Sequence, residues 1–140
     1  MAARLVADIT RGRAPLTLSI DQTVQEACRH MRQWRVGAVL VTDAPHHLVG
    51  IFTGRDVVGR VVAEGRDPSK TKLSEVMTGR PNTISPGKRA IDALRQMQDG
   101  GYRHIPVVED ETLLGIVSRN DFSGLEKARL EDEIEVWERI

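Results

Sequence analysis

The chain repeats itself. Gly50-Ile51-Phe52-Thr53-Gly54-Arg55-Asp56 returns as Gly115-Ile116-Val117-Ser118-Arg119-Asn120-Asp121. Ser19, Ala27, Arg29, Met31 and Val41 recur as Ser85, Ala93, Arg95, Met97 and Val107 at one fixed offset. Beyond the next turn, Leu48, Gly50, Ile51 and Asp56 match Leu113, Gly115, Ile116 and Asp121 at an offset one residue shorter. A duplication, with one residue of difference in a connecting loop, accounts for both offsets. Each half is roughly 60 residues, a size that buries too little surface to be comfortably stable alone, so a core shared by the two halves is expected.

Within the first half, Val24, Ala27, Cys28 and Met31 fall at i, i+3, i+4 and i+7, one face of an amphipathic helix. Thr23-Val24-Gln25-Glu26 has the form of a capping box, which starts that helix beside Thr23. The second half repeats the stripe as Ala90, Ala93, Leu94 and Met97, with Arg89 in place of the capping threonine and Pro86-Gly87 before it. After each helix come two apolar runs separated by a short polar turn, Asp43 to His47 or Glu109 to Thr112, which read as antiparallel strands. A further helix is expected from Asp56, with Val57, Val58, Val61 and Val62 on its apolar face and Gly65 at its end. Its counterpart is expected from Asp121, running on through Leu125, Leu130, Ile134 and Trp137. Short entry segments, Val6-Ala7-Asp8-Ile9 and Leu73-Ser74-Glu75-Val76-Met77, precede the first strand of each half. The class is α+β, with two βαββα repeats. The stretch Gly65 to Lys70 is the linker, giving an entry segment and first repeat over residues 1–66 and a second repeat with a C-terminal helical extension over 67–140.

Twenty basic side chains balance twenty acidic ones, which gives no footprint for nucleic acid. One cysteine excludes an intramolecular disulfide, and no apolar run is long enough for a membrane span or signal-peptide core, so the cytoplasm is the expected compartment.

The repeated motif carries the chemistry. An aspartate at a strand-to-helix junction can accept two hydrogen bonds from the diol of a ribose, which makes Asp56 and Asp121 candidate sugar ligands. Thr53 and Ser118, three residues earlier, lie just before the free amides of a helix N-terminus, where a phosphate is favoured. Arg55 and Arg119 add planar cations at neighbouring rather than equivalent positions, so the two sites should differ in anion affinity. The plainer reading is that Ser, Thr and Asp at a helix start simply cap its amides. Cys28, aligned with Leu94, reads as a small core residue, and His46-His47 as surface histidines without the further ligands a metal needs. His104 either lines a cleft or packs in the core. No nucleophile, base and orienting group stand together in the pattern, so binding rather than turnover is expected.

These residues resemble the cystathionine beta-synthase (CBS) domain family, whose tandem repeats each close on a glycine, two apolar residues, Thr or Ser, two further residues and Asp. Gly101-Tyr102-Arg103-His104-Ile105-Pro106-Val107 and the entry Leu73-Ser74-Glu75-Val76-Met77-Thr78 are similar to that family too. The resemblance implies a pair of sheets about a pseudo-two-fold axis, with clefts for an adenosine-containing ligand: AMP, ADP, ATP, NAD(H) or S-adenosylmethionine. By that pattern Asp56 and Asp121 bond ribose hydroxyls, and Thr53 and Ser118 face phosphate or ribose. Arg55, Arg119 and Asn120 fill the motif interior. Backbone near Thr17, Ala38 and Val39, or near Thr83, His104 and Ile105, brackets the base. Leu40 stands where the second repeat has Pro106, and Gly37-Ala38 where it has Arg103-His104, so equal occupancy is not expected. No catalytic residue, metal or obligatory cofactor is implied. The module is expected to act as a homodimer or on an effector protein. The alternative is a dimerisation module without a nucleotide ligand, with partners recruited through the C-terminal helix.

Overall fold

A computed structural model of the protein describes residues 3–124 and 126–131. In chain order the elements are α1 (Val6–Thr10), β1 (Thr17–Ser19), α2 (Val24–Trp34), β2 (Ala38–Ala44), β3 (His47–Thr53), α3 (Gly54–Asp56), a π-helical segment (Val57–Val62), α4 (Leu73–Val76), β4 (Thr78–Gly79), α5 (Ala90–Gly100), β5 (His104–Glu109), β6 (Thr112–Ser118) and a 3-10 turn (Arg119–Asp121). They divide into two compact units: residues 14–82 with 110–113, and residues up to Arg13 with 83–109 and those from Leu114 onward. Among the described residues no helix is long and apolar enough to cross a membrane.

The first unit holds a four-stranded sheet in the order β1-β2-β3-β4. β1 runs parallel to β2, and the other two pairings are antiparallel. Ala38 to Val41 are all buried, as befits a strand covered on both faces. The α2 stripe is seated as its spacing demands, with Val24, Ala27 and Met31 buried and Cys28 half-buried against the same cluster. The Thr23 hydroxyl accepts the Glu26 amide at 3.2 Å, the expected cap. Glu26 itself accepts the Gln22 side-chain amide at 3.3 Å. Pro68 of the linker and Thr71 just past it supply what the cap leaves over: the carbonyls of Thr71 and Pro68 accept the Val24 and Gln25 amides at 2.9 and 3.0 Å, satisfying donors that have no partner within the helix.

The helix expected after Asp56 is wound differently. Three residues of α-helix give way to a π segment, in which the Ala63 amide reaches back to the Val58 carbonyl at 2.9 Å. The apolar stripe is split: Val61 is buried, while Val58 and Val62 are 66% and 70% exposed. Gly65 ends the segment at φ +68°, as expected of a left-handed terminator.

In the second unit β5 and β6 form a two-stranded sheet. Asp110 and Glu111 connect them at φ 50° and 65°, the left-handed pair that a two-residue hairpin requires. Leu18 pairs with Val41 in the first unit, and Ile84 makes the matching parallel bridge to Val107 in the second, without growing into a strand. Proline is the reason. The Leu40 amide donates to the Leu16 carbonyl at 2.9 Å, but Pro106 occupies the equivalent place and has no N–H to give. At the start of α5, Asp92 accepts the Arg89 amide at 3.2 Å, so half of a reciprocal cap persists without the threonine.

The second copy of the late helix also departs from expectation. The 3-10 turn ends at Phe122, which is extended, and a new helical stretch follows over 124 and 126–131. Ser123 starts it: its hydroxyl accepts the Glu126 amide at 3.2 Å, and its own amide donates to the Glu126 carboxylate at 2.9 Å. Leu130 is buried at 2% exposure. Leu125, Ile134 and Trp137, expected on the same helix, lie outside the described residues.

The expectation of one shared core is corrected. Among the described residues, buried apolar side chains form two clusters, one inside each unit. Each unit gains size from an entry helix contributed from elsewhere in the chain. Leu73 and Val76 of α4 complete the cluster of Val24, Val39 and Phe52, and Val6 and Ile9 of α1 complete that of Ile84, Leu94 and Ile105.

Candidate functional site

Both repeated motifs end in the same local construction. In the first unit β3 ends at Thr53, which lies opposite Ala38 in the sheet, with Val39 opposite Phe52 and Thr17 opposite Leu40. Thr17, Ala38, Val39, Thr53 and Asp56 thus gather at the end where β2 begins and β3 finishes. Ala38 and Val39 are buried, so what they offer a ligand is main chain, while Thr17 and Arg55 are exposed. The Asp56 carboxylate is buried. One of its oxygens, Oδ2, accepts the Thr53 amide at 2.9 Å and the Thr53 hydroxyl at 3.2 Å. The other, Oδ1, faces the Arg60 Nε at 3.5 Å. Arg60 also donates to the carbonyls of Val76 and Met77, at 3.3 and 2.9 Å.

In the second unit the Ser118 amide donates to the Asp121 carboxylate at 2.7 Å. Arg13 completes the arrangement, its Nη1 at 2.8 Å from Oδ1 and its Nη2 at 3.2 Å from Oδ2, a two-pronged guanidinium-carboxylate pair. The same guanidinium reaches the Ile116 carbonyl at 3.3 Å. Arg4 donates to the Asp121 carbonyl at 2.8 Å and pairs with Glu126. Burial pushes the Asp121 carboxyl up, but the Arg13 hydrogen bond, the Ser118 amide and the Arg13 charge outweigh it and hold the group below its ordinary value. Ile105 is fully buried, Thr83, Arg119 and Asn120 are exposed, and His104 is half-buried. Burial lowers the His104 pKa, the Asp121 charge opposing and Arg103 assisting.

One backbone bond closes both motifs. The Gly54 amide donates to the Gly37 carbonyl at 3.2 Å, and at the matching positions the Arg119 amide donates to the Arg103 carbonyl at 2.9 Å. The glycine that opens each motif is fixed by a close approach. A Cβ on Gly50 would run into the Met77 side chain and lie 3.0 Å from the Thr78 carbonyl, and one on Gly115 would lie 3.0 Å from the Thr10 methyl. Thr10 and Met77 end matching entry segments, so the same contact holds an entry segment against each acid-bearing strand.

Sequence reasoning placed the hydroxyls and acids but missed Arg13 and Arg60. A signal for Arg13 is present: Gly12-Arg13 and Gly79-Arg80 follow the two entry segments in register. Arg60 stands four residues after Asp56, a spacing that brings helical side chains together. The helix dipole expected to hold a phosphate is little developed in the second unit, where the 3-10 turn is three residues and Phe122 is extended, whereas in the first α3 runs directly into the π segment and the winding continues to Val62. Cys28 packs against the core, burial raising its thiol pKa. His46 and His47 are exposed, the latter paired with Asp43. Among the described residues no group of three His, Cys, Asp or Glu side chains is placed to hold a metal.

The family model described as CBS domain matches residues 6–63 and 73–125. The CBS domain-containing protein CBSCBSPB2 of Arabidopsis thaliana is 43% identical over 102 residues, covering 73% of this chain and 19% of that protein. The chain spans about a fifth of the length of the Arabidopsis relatives CBSCBSPB1, CBSCBSPB2 and CBSCBSPB3. CBS domain-containing protein YhcV of Bacillus subtilis is 37% identical over 107 residues, covering 76% of this chain and 75% of that one. Among solved structures, the CBS domain pair of protein MJ0100 in complex with 5'-methylthioadenosine and S-adenosyl-L-methionine superposes with a TM-score of 0.78 at 25% identity, covering 91% of this chain and 99% of that one. With the glycine, hydroxyl and acid repeated in two units of the same local build, this chain belongs to the CBS domain family as a tandem pair of repeats.

Proposed function

We propose that this chain is a non-catalytic sensor module that binds an adenosine-containing small molecule, with the carboxylates of Asp56 and Asp121 as the ribose ligands. One observation carries the reading: in both units a carboxylate is fixed at a strand end by the amide three residues earlier, where a buried main chain lies beside it. A carboxylate already oriented by the backbone loses little freedom when it accepts a diol, which favours binding. Support comes also from the MJ0100 pair, whose two bound molecules both carry adenosine. Thr53 and Ser118 sit beside the sugar, Arg55, Arg119 and Asn120 at the mouth. The main chain of Thr17, Ala38 and Val39, or of Thr83, His104 and Ile105, lines the base. The ligand class comprises AMP, ADP, ATP, NAD(H) and S-adenosylmethionine. Occupancy is signalled through differential affinity for two arrangements of the module, to a second copy or to an effector protein in the cytoplasm.

A thermal-shift series tests the proposal. A ligand bound by the folded form alone raises the melting temperature, and the stabilisation grows with the logarithm of one plus its concentration over Kd. At least one adenosine compound should shift it, and adenine-free sugar phosphates should not. A second reading, a dimerisation module whose acids are only caps, draws on the fact that both carboxylates already hold backbone amides. It predicts no shift with any of these compounds.

A further inference from the structure

The two acids are matched in sequence but not in what occupies them. On Asp56 one oxygen, Oδ2, is used by Thr53, and among the described residues the other, Oδ1, has Arg60 at 3.5 Å, beyond good hydrogen-bonding range. On Asp121 both oxygens are engaged by one cation, at 2.8 and 3.2 Å, in addition to the Ser118 amide. A ribose diol binds a carboxylate by donating to both oxygens, which is the same demand the planar guanidinium makes. We propose that Arg13 is an internal occupant of the sugar seat on Asp121, so that ligand fills the Asp56 site first and reaches Asp121 only by displacing the guanidinium.

The placement of Arg13 suits that role. It follows Gly12, whose φ of +73° turns the chain sharply after α1, and α1 is held to the acid-bearing strand by the contact of Thr10 with Gly115. The hydrogen bond to the Ile116 carbonyl gives the guanidinium a second anchor on that strand. With its side chain 49% exposed, Arg13 can swing into water when the carboxylate is claimed, and once freed it stands beside the ligand as an anion-binding group. A ligand of net positive charge such as S-adenosylmethionine gains less from that second contact than one carrying a phosphate, so Arg13 also sets which adenosine compounds the site accepts.

This inference rests on the adenosine-binding reading, and calorimetry with AMP and with S-adenosylmethionine separates the two. In the Asp56→Asn background, which leaves Asp121 as the binding site, Arg13→Gln should tighten S-adenosylmethionine binding at least tenfold. Arg13→Lys, which keeps the charge but loses the fork, should tighten it less. In the Asp121→Asn background the same substitutions should leave affinity unchanged. Circular dichroism melts show which variants are folded, and Arg13→Lys carries the test if Arg13→Gln melts early. Unchanged or weakened binding of both compounds in Arg13→Gln and Arg13→Lys overturns the proposal while leaving the adenosine reading intact. Absence of binding to the wild-type chain and to every variant overturns both.

Discussion

Glycine at positions 50 and 115 is required by space rather than by backbone angle, since each faces a neighbour where a methyl would go. Gly115→Ala must push the Thr10 side chain and with it α1, and a cost of about 1–3 kcal/mol is expected in urea unfolding, in the range of small overpacking changes. The acids make a second prediction at this scale. Asp121 is held below its ordinary pKa, so its contribution to stability is fully present above the usual carboxylate range, near pH 4, and is lost as pH falls through its lower folded value. The stability difference between wild type and Asp121→Asn should therefore shrink steadily in urea titrations between about pH 5 and pH 2. His104 acts in the same sense at higher pH. Its folded pKa is lowered by burial, so protonation below about 6.5 favours the unfolded chain. The hydroxyl-acid pairs were legible in the sequence because three residues separate their members. The pairing of Arg13 with Asp121 spans 108 residues, and no local pattern records such a contact.

At the scale of elements, the helices with an i, i+3, i+4, i+7 stripe stand where that period puts them, and the departures have local or distant causes. Pro106 reduces the second parallel strand to a bridge, a consequence readable from one residue. The π segment was not legible, since Val57, Val58, Val61 and Val62 fit an α period equally well. What distinguishes the segment is long-range: Arg60 within it is tied to carbonyls at the end of α4. The C-termini of α2 and α5 give a test. Arg35 ends α2 at φ 56° and Gly101 ends α5 at φ 71°, so the first copy keeps a side chain in a left-handed position that its counterpart gives to glycine. Arg35→Gly should stabilise the protein by about 1 kcal/mol in urea unfolding, removing the Cβ penalty of that conformation. Unchanged or reduced stability would show that the Arg35 side chain contributes more than its strain costs.

For the whole molecule, duplication announced two similar halves but not which entry helix each would recruit, because α1 and α4 carry almost the same apolar pattern. Tertiary contact decides it. Val6 and Ile9 belong to the cluster of Ile84 and Ile105, so Ile9→Ala, expected to cost about 2–4 kcal/mol, should weaken the second unit first. Hydrogen exchange should show lost protection at the Ile84 and Val108 amides, with protection of β2 and β3 retained. Equal loss in both would mean that the units unfold as one. The same two-unit construction presents two acids of one kind, and their chemistry is most directly examined by calorimetric titration of AMP and S-adenosylmethionine into the wild-type chain and into Asp56→Asn/Asp121→Asn. A saturable heat in the wild type for at least one compound, weakened roughly 100-fold or more in the double variant as expected for losing charge-assisted hydrogen bonds, is the predicted result. Equal affinity in both proteins, or no heat from either compound at millimolar concentration, would contradict the assignment of these carboxylates to a ribose.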